Sequence, residues 1–192
     1  MKVAVVILAG GEGKRIGGNK PLRLLGGVSL LERAVRYASG ISKFCAVAVR
    51  DEAQIGNIEI PVVRDDPEIE GPLGGLVAAL RFASDEGGGA VLTIPADMPF
   101  LPTDLADRLV DSIGQSRAVI ACSGGHQHPV CGLWRTEALD AFAEYLASGL
   151  RSLKGFAEVV GYVAIDWPVD PVDPFFNINS EQDLAEAERL LA

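Results

Sequence analysis

Short, unbroken apolar runs alternate along this chain with stretches in which apolar residues recur every three or four positions. Val3 to Leu8 is the first such run. It is aliphatic throughout, with no polar alternation. This predicts a strand buried on both faces, as in a parallel sheet covered by helices. Phe44 to Val49, Ile60 to Val63, Ala90 to Ile94, Ala118 to Cys122, Pro129 to Trp134 and Val159 to Ile165 read as further strands. Ser29 to Ala38 reads as a helix. Ser29 and Glu32 make a capping box, and Leu30, Leu31, Ala34 and Ala38 form one apolar face. Further helices are predicted from Gly71 to about Ala83, Thr103 to about Ile113, Glu137 to Leu146, Leu150 to Phe156 and Glu181 to Leu191. Strands alternating with helices imply an α/β sandwich around a mainly parallel sheet. The Pro-Asp-rich stretch Trp167 to Pro174 reads as a local loop, so residues 1–192 are expected to form one domain.

Composition narrows the class. Hydrophobic residues make up 48% of the 192 positions and charged residues 22%, which fits a globular chain and argues against disorder. The net charge of −9 disfavours nucleic acid and anionic membranes as partners. Any phosphate-bearing ligand must therefore be held by a local cationic site or a metal. Cys45, Cys122 and Cys131 are three cysteines without framework spacing. That fits a reducing cytoplasm. No apolar run approaches membrane-spanning length.

The most informative segment follows the first strand: Leu8-Ala9-Gly10-Gly11-Glu12-Gly13-Lys14-Arg15. Glycines at 10, 11, 13, 17 and 18 leave backbone N–H groups open to approach, and successive N–H groups in such a loop form an anion cradle. Arg15 and Lys20 supply cations. A guanidinium can fork two phosphate oxygens, and a lysine acts as a point charge. Two familiar loops fail by counting. A Walker A loop counted from Gly13 reaches Gly18 but then meets Asn19, and Pro21 follows Lys20. A dinucleotide fingerprint from Gly11 and Gly13 needs a small residue where Ile16 stands.

Three acidic or amide motifs accompany the loop. Asp97, in Pro95-Ala96-Asp97-Met98-Pro99-Phe100, sits just past a buried strand, where a carboxylate suits magnesium; a turn or capping role is the plainer alternative. Asp65 and Asp66 precede Gly71-Pro72-Leu73-Gly74-Gly75, and an aspartate there can accept two hydrogen bonds from the N1–H and amino group of guanine. Asn177 and Asn179 stand behind Phe175 and Phe176 at the start of the last helix, which Ser180 or Asn179 can cap.

Leu8 to Leu22, with its Leu-Ala-Gly-Gly-x-Gly-x-Arg-x-Gly-Gly-x-Lys-Pro-Leu pattern, resembles the signature of the molybdenum cofactor guanylyltransferase (MobA-type) family of nucleotidyltransferases. Ile16 replaces that family's usual methionine, Gly74 its alanine, Ser180 its threonine and Gln182 its glutamate. The resemblance implies a Rossmann-like, three-layer α/β/α fold of the nucleotide-diphospho-sugar transferase type. It also implies transfer of GMP from GTP to molybdopterin, with Mg2+ as cofactor and release of pyrophosphate. Leu8, Ala9, Gly10, Gly11, Gly13, Lys20, Asp65, Gly71 and Asp97 would then bind nucleotide. Arg15, Lys20 and Asp97 would be catalytic, and Asp97 would hold the metal. Asn179 would complete the metal and phosphate site, and Asn177 would face the pterin. Molybdoenzymes or cofactor-biosynthesis proteins become expected partners. A cytidylyltransferase acting on the same or another phosphate-bearing acceptor remains the alternative enzyme, and a non-catalytic nucleotide sensor the alternative outside catalysis.

Cys122, His126, His128 and Cys131 match no standard zinc spacing. His128 has a weaker claim to the pterin side. Trp134 and Trp167 read as packing residues.

Overall fold

The computed structural model describes residues 1–10, 20–69 and 71–191. Its main element is a seven-stranded sheet built on β1 (Val3–Leu8). The side chains of β1 divide by alternation: Val5 and Ile7 join one core, Ala4 and Val6 the other, and all four are buried. An uninterrupted apolar run is what two-sided burial requires.

A two-stranded hairpin, β2 (Leu24–Leu25) and β3 (Val28–Ser29), leads into α1 (Leu30–Ile41). The sequence pattern does not show this hairpin. The capping expectation is met, because the Ser29 hydroxyl accepts from the Glu32 N–H at 3.1 Å. Then follow β4 (Cys45–Val49), β5 (Val62–Arg64), α2 (Pro72–Asp85) and β6 (Ala90–Pro95). β5 begins later than the apolar run Ile60 to Val63 suggests. The second half of the chain supplies α3 (Leu105–Ser112), β7 (Ala118–Ser123), β8 (His126–Arg135), α4 (Phe142–Ala147), α5 (Leu153–Val160), β9 (Tyr162–Trp167) and α6 (Glu181–Leu191). The helix expected over Glu137 to Leu146 is split: residues Thr136–Ala141 are 3-10 and only the rest is α.

The strand order is β5-β4-β1-β6-β8-β7-β9. All neighbours run parallel except β8, which is antiparallel to both β6 and β7. The β7–β8 register slips between Ile120 and Ala121, leaving a bulge in β8 around Pro129 to Cys131. Helices α1 and α3 cover one face; α2, α4 and α5 cover the other. Trp134 is fully buried against Phe156, and Trp167 is packed edge-on to Phe175, so both are core residues. Among the described residues, no helix is long and apolar enough to cross a membrane.

Candidate active site

The carboxyl ends of β5, β4, β1 and β6 open onto one cleft of about 400 Å³. Ligands of open α/β sheets bind at that end. Leu8, Gly10, Asp65, Gly71, Asp97 and Asn177 all line the cleft, so six residues scattered through the sequence are brought together. Gly11, Gly13 and Arg15 lie outside the described residues. Ala9 does not line the cleft: its methyl is buried in the core and its N–H donates to Ala48 O at 2.9 Å.

Asp97 follows β6 directly. Its Oδ2 is ion-paired with Lys20 Nζ, while Oδ1 is buried and has no hydrogen-bond partner among the described residues. Lys20 Nζ also donates to Asn179 Oδ1 at 2.7 Å and, at a long 3.5 Å, to Asn177 Oδ1. The loop carrying both asparagines is tied down by its backbone, because Ile178 N–H donates to Asp97 O at 3.0 Å. It is held from the other side by α6. Ser180 Oγ accepts from Asp183 N–H at 3.1 Å, and Asp183 Oδ2 accepts from Asn179 N–H at 2.8 Å, a reciprocal cap. The bond from Asn179 N–H holds the Asp183 carboxyl below the ordinary carboxylate value. Lys20, Asp97, Asn177 and Asn179 therefore form one connected polar group.

Asp65 stands at the far end of the cleft, beyond β4. It is 8% exposed, and its Oδ1 likewise lacks a partner among the described residues. Burial raises its pKa, and nearby Arg50 partly opposes the rise. Asp66 points elsewhere: it accepts from Glu68 N–H at 3.1 Å and pairs with Arg81 at 3.3 Å. Of the two adjacent aspartates, only Asp65 faces the cleft. The glycines around it make the space. A Cβ on Gly10 would lie 2.5 Å from Asp65 Oδ2, and one on Gly75 3.4 Å from Oδ1. A Cβ on Gly74 would lie 2.9 Å from Ile69 O, so α2 closes on the turn behind Asp65 only because residue 74 has no side chain. The missing methyl at Gly10 thus first makes room for the Asp65 carboxylate rather than for a ligand.

His128 belongs to a neighbouring chain of contacts. Its ring stacks on Phe175 with centroids 4.8 Å apart, and Nε2 is 2.8 Å from Ser123 Oγ. Ser123 in turn donates to Asp173 Oδ1 at 2.8 Å. With that hydroxyl proton committed, His128 Nε2 carries a hydrogen and is the donor. Burial depresses the His128 pKa. The chain of bonds seats Phe175 two residues before Asn177.

Sequence reading missed Arg50, which also lines the cleft. The available signal was a cation placed immediately after the apolar strand Phe44 to Val49.

Residues 5–159 match the family of MobA-like NTP transferase domains. A molybdenum cofactor guanylyltransferase from Cereibacter sphaeroides is 38% identical, covering 100% of this chain and 98% of that protein. Another from Nitrobacter hamburgensis is 37% identical, covering 97% and 93%. Among solved structures, molybdopterin-guanine dinucleotide biosynthesis protein A from Archaeoglobus fulgidus superposes with a TM-score of 0.78 at 27% identity, covering 100% and 98%. The fold is shared with nucleotide-diphospho-sugar transferase-like nucleotidyltransferases.

Proposed function

This chain belongs to the MobA-like NTP transferase family and is a nucleotidyltransferase; from that premise we propose that it transfers GMP from GTP to a molybdopterin cofactor, with magnesium required and pyrophosphate released. The observation that carries the reading is a pair of buried carboxylate oxygens in one cleft, Asp65 Oδ1 and Asp97 Oδ1, that have no hydrogen-bond partner among the described residues. A buried acceptor without a donor is costly, and a ligand that supplies the missing partner relieves it. The strands that carry them, β5 and β6, are three strand spacings apart, on the order of 14 Å, and the Asp65 carboxylate reaches inward from β5 over Gly10. An extended nucleotide placed between them has its base at Asp65 and its phosphates at Asp97 and Lys20.

The Asp97 end fits magnesium. It offers a hard oxygen donor beside a lysine and two amide oxygens, and magnesium takes one or two carboxylates plus substrate phosphates. Asp97 would hold the ion, which when bound neutralises charge on the α-phosphate and the leaving pyrophosphate. The protein's own part is positioning and charge complementarity. An anionic phosphate oxygen of the acceptor attacks the α-phosphorus of GTP. The bond from that phosphorus to the β-phosphate bridging oxygen breaks, and pyrophosphate carries the electron pair away. The attacking oxygen is already anionic near neutral pH, so no general base is needed. Lys20 faces the oxygens that gain charge. Asn177 and Asn179 border the place where acceptor and donor meet.

Pyrophosphate release from GTP, CTP and ATP, with molybdopterin as acceptor and with or without magnesium, tests the proposal. GTP is expected to be preferred strongly and magnesium to be required. Equal or faster turnover of CTP would move the chain to the cytidylyl reading.

A further inference from the structure

Three strand ends converge at the base end of the cleft. Gly10 ends the β1 side, Arg50 follows β4, and Asp65 follows β5. Val49 and Arg64 are register partners, and Asp65 N–H donates to Val49 O at 2.9 Å, so Arg50 and Asp65 are the next rung of the same ladder. Both side chains converge over Gly10: a Cβ there would lie 2.5 Å from Asp65 Oδ2 and 3.6 Å from Arg50 Cγ. The acceptor Asp65 Oδ1 is buried and has no partner among the described residues. The donor beside it is little used by the described residues. The hydrogen bond that Arg50 makes among the described residues is Nη2 to Ile69 O, at 3.4 Å. A strong acceptor and a multiple donor thus lie side by side on one wall, each with capacity that the described residues leave unused.

That arrangement matches one nucleobase edge. Guanine presents, in line, the O6 acceptor, the N1–H donor and the 2-amino donor. A carboxylate takes the last two, and a guanidinium next to it meets O6, the favoured arginine–guanine contact. Adenine offers a 6-amino donor toward the guanidinium and an unprotonated N1 toward the carboxylate, so both contacts fail together. We propose that Arg50 is a base-reading residue, donating to the 6-keto oxygen of the purine while Asp65 accepts from N1–H and the 2-amino group. The assignment rests on GTP as the donor nucleotide and adds a second half to its recognition.

The test measures equilibrium binding of GTP, ITP and ATP with magnesium to the full chain and to Arg50→Ala, Arg50→Lys and Asp65→Asn. ITP keeps the 6-keto group and N1–H but lacks the 2-amino group. Arg50→Ala is expected to weaken GTP and ITP by the same factor, about tenfold or more, and to leave ATP unchanged. Arg50→Lys should recover part of the loss. Asp65→Asn should penalise GTP more than ITP. Equal weakening of all three nucleotides by Arg50→Ala would make Arg50 a general phosphate cation and overturn the inference, as would no change with any of them. If the unaltered chain shows no preference for GTP over ATP, the donor assignment and the Arg50 role fall together. A strong preference that survives Arg50→Ala removes only the latter. Melting curves of each variant confirm that binding is measured on folded protein.

Discussion

Lys20 Nζ lies 2.7 Å from Asn179 Oδ1, a contact between residues 159 positions apart. The asparagine holds the ammonium beside Asp97, so its loss should misplace a cation rather than unfold the chain. A hydrogen bond to a charged group is worth about 1.5–3 kcal/mol. Asn179→Ala is therefore expected to slow pyrophosphate release by about tenfold to a hundredfold, with little change in melting temperature. Lys20→Ala, which removes the cation itself, should cost on the order of a hundredfold to a thousandfold. Single-turnover rates with GTP and acceptor distinguish the two.

Asp97→Ala should abolish transfer, with a loss on the order of a thousandfold or more, while the circular dichroism spectrum stays unchanged. The variant leaves Lys20 without its ion-pair partner but keeps the asparagine contacts. Near-normal, magnesium-stimulated turnover by this variant would sink the metal assignment.

Gly10→Ala tests the base end. Its new methyl must displace the Asp65 carboxylate, which would otherwise lie 2.5 Å away. GTP affinity is expected to fall about tenfold, with ATP affinity unaffected. Titration of both nucleotides against the variant decides it, and an equal loss for both would show that the change does not act through the base.

Burial, partly offset by Arg50, lifts the Asp65 carboxyl above its ordinary value of 3.8. A raised carboxyl holds its proton more tightly when folded than when unfolded. Its contribution is therefore absent below 3.8 and becomes a penalty as pH climbs through the folded value. Asp65→Asn removes that penalty. The variant should melt higher than the parent at pH 7–8, and the gap should close as pH falls toward 3.8. GTP binding should worsen in the same variant, since the amide cannot replace both acceptor oxygens. A lower melting temperature at pH 8 would show instead that the ionised carboxylate stabilises the fold.

Phe175 is 2% exposed, stacked on His128 and edge-on to Trp167. Phe175→Ala should cost about 3–5 kcal/mol. Because the same ring anchors the segment leading to Asn177, the surviving folded protein should also turn over more slowly. Chemical denaturation alongside the transfer assay checks both effects.

What the sequence reveals follows from local physics. β1, β4 and β6 are visible because two-sided burial demands unbroken apolar runs. Ser29 is visible because a cap needs only residues three apart. The reversal of β8 is not visible, since Pro129 to Trp134 reads the same in either direction. The β2–β3 hairpin is too short to show periodicity. At the site, Asp97 stands out from local context and Asp65 is preferred through the family resemblance; the physical reason, that Asp66 pairs with Arg81 across 15 residues, is not local. Arg50 acquires meaning only when β4 and β5 are laid side by side. Ala9 enters the expected site through the family resemblance, while its side chain is packed in the core.

The seven-stranded sheet is complete at Trp167, whereas the two asparagines of the cleft come ten and twelve residues later. During synthesis, a chain that has emerged through β9 has every strand of its scaffold but not the residues that hold Lys20 from the far side. The order of translation thus separates acquiring a fold from acquiring a working site. A nascent chain stalled just past Trp167 should be compact and catalytically silent.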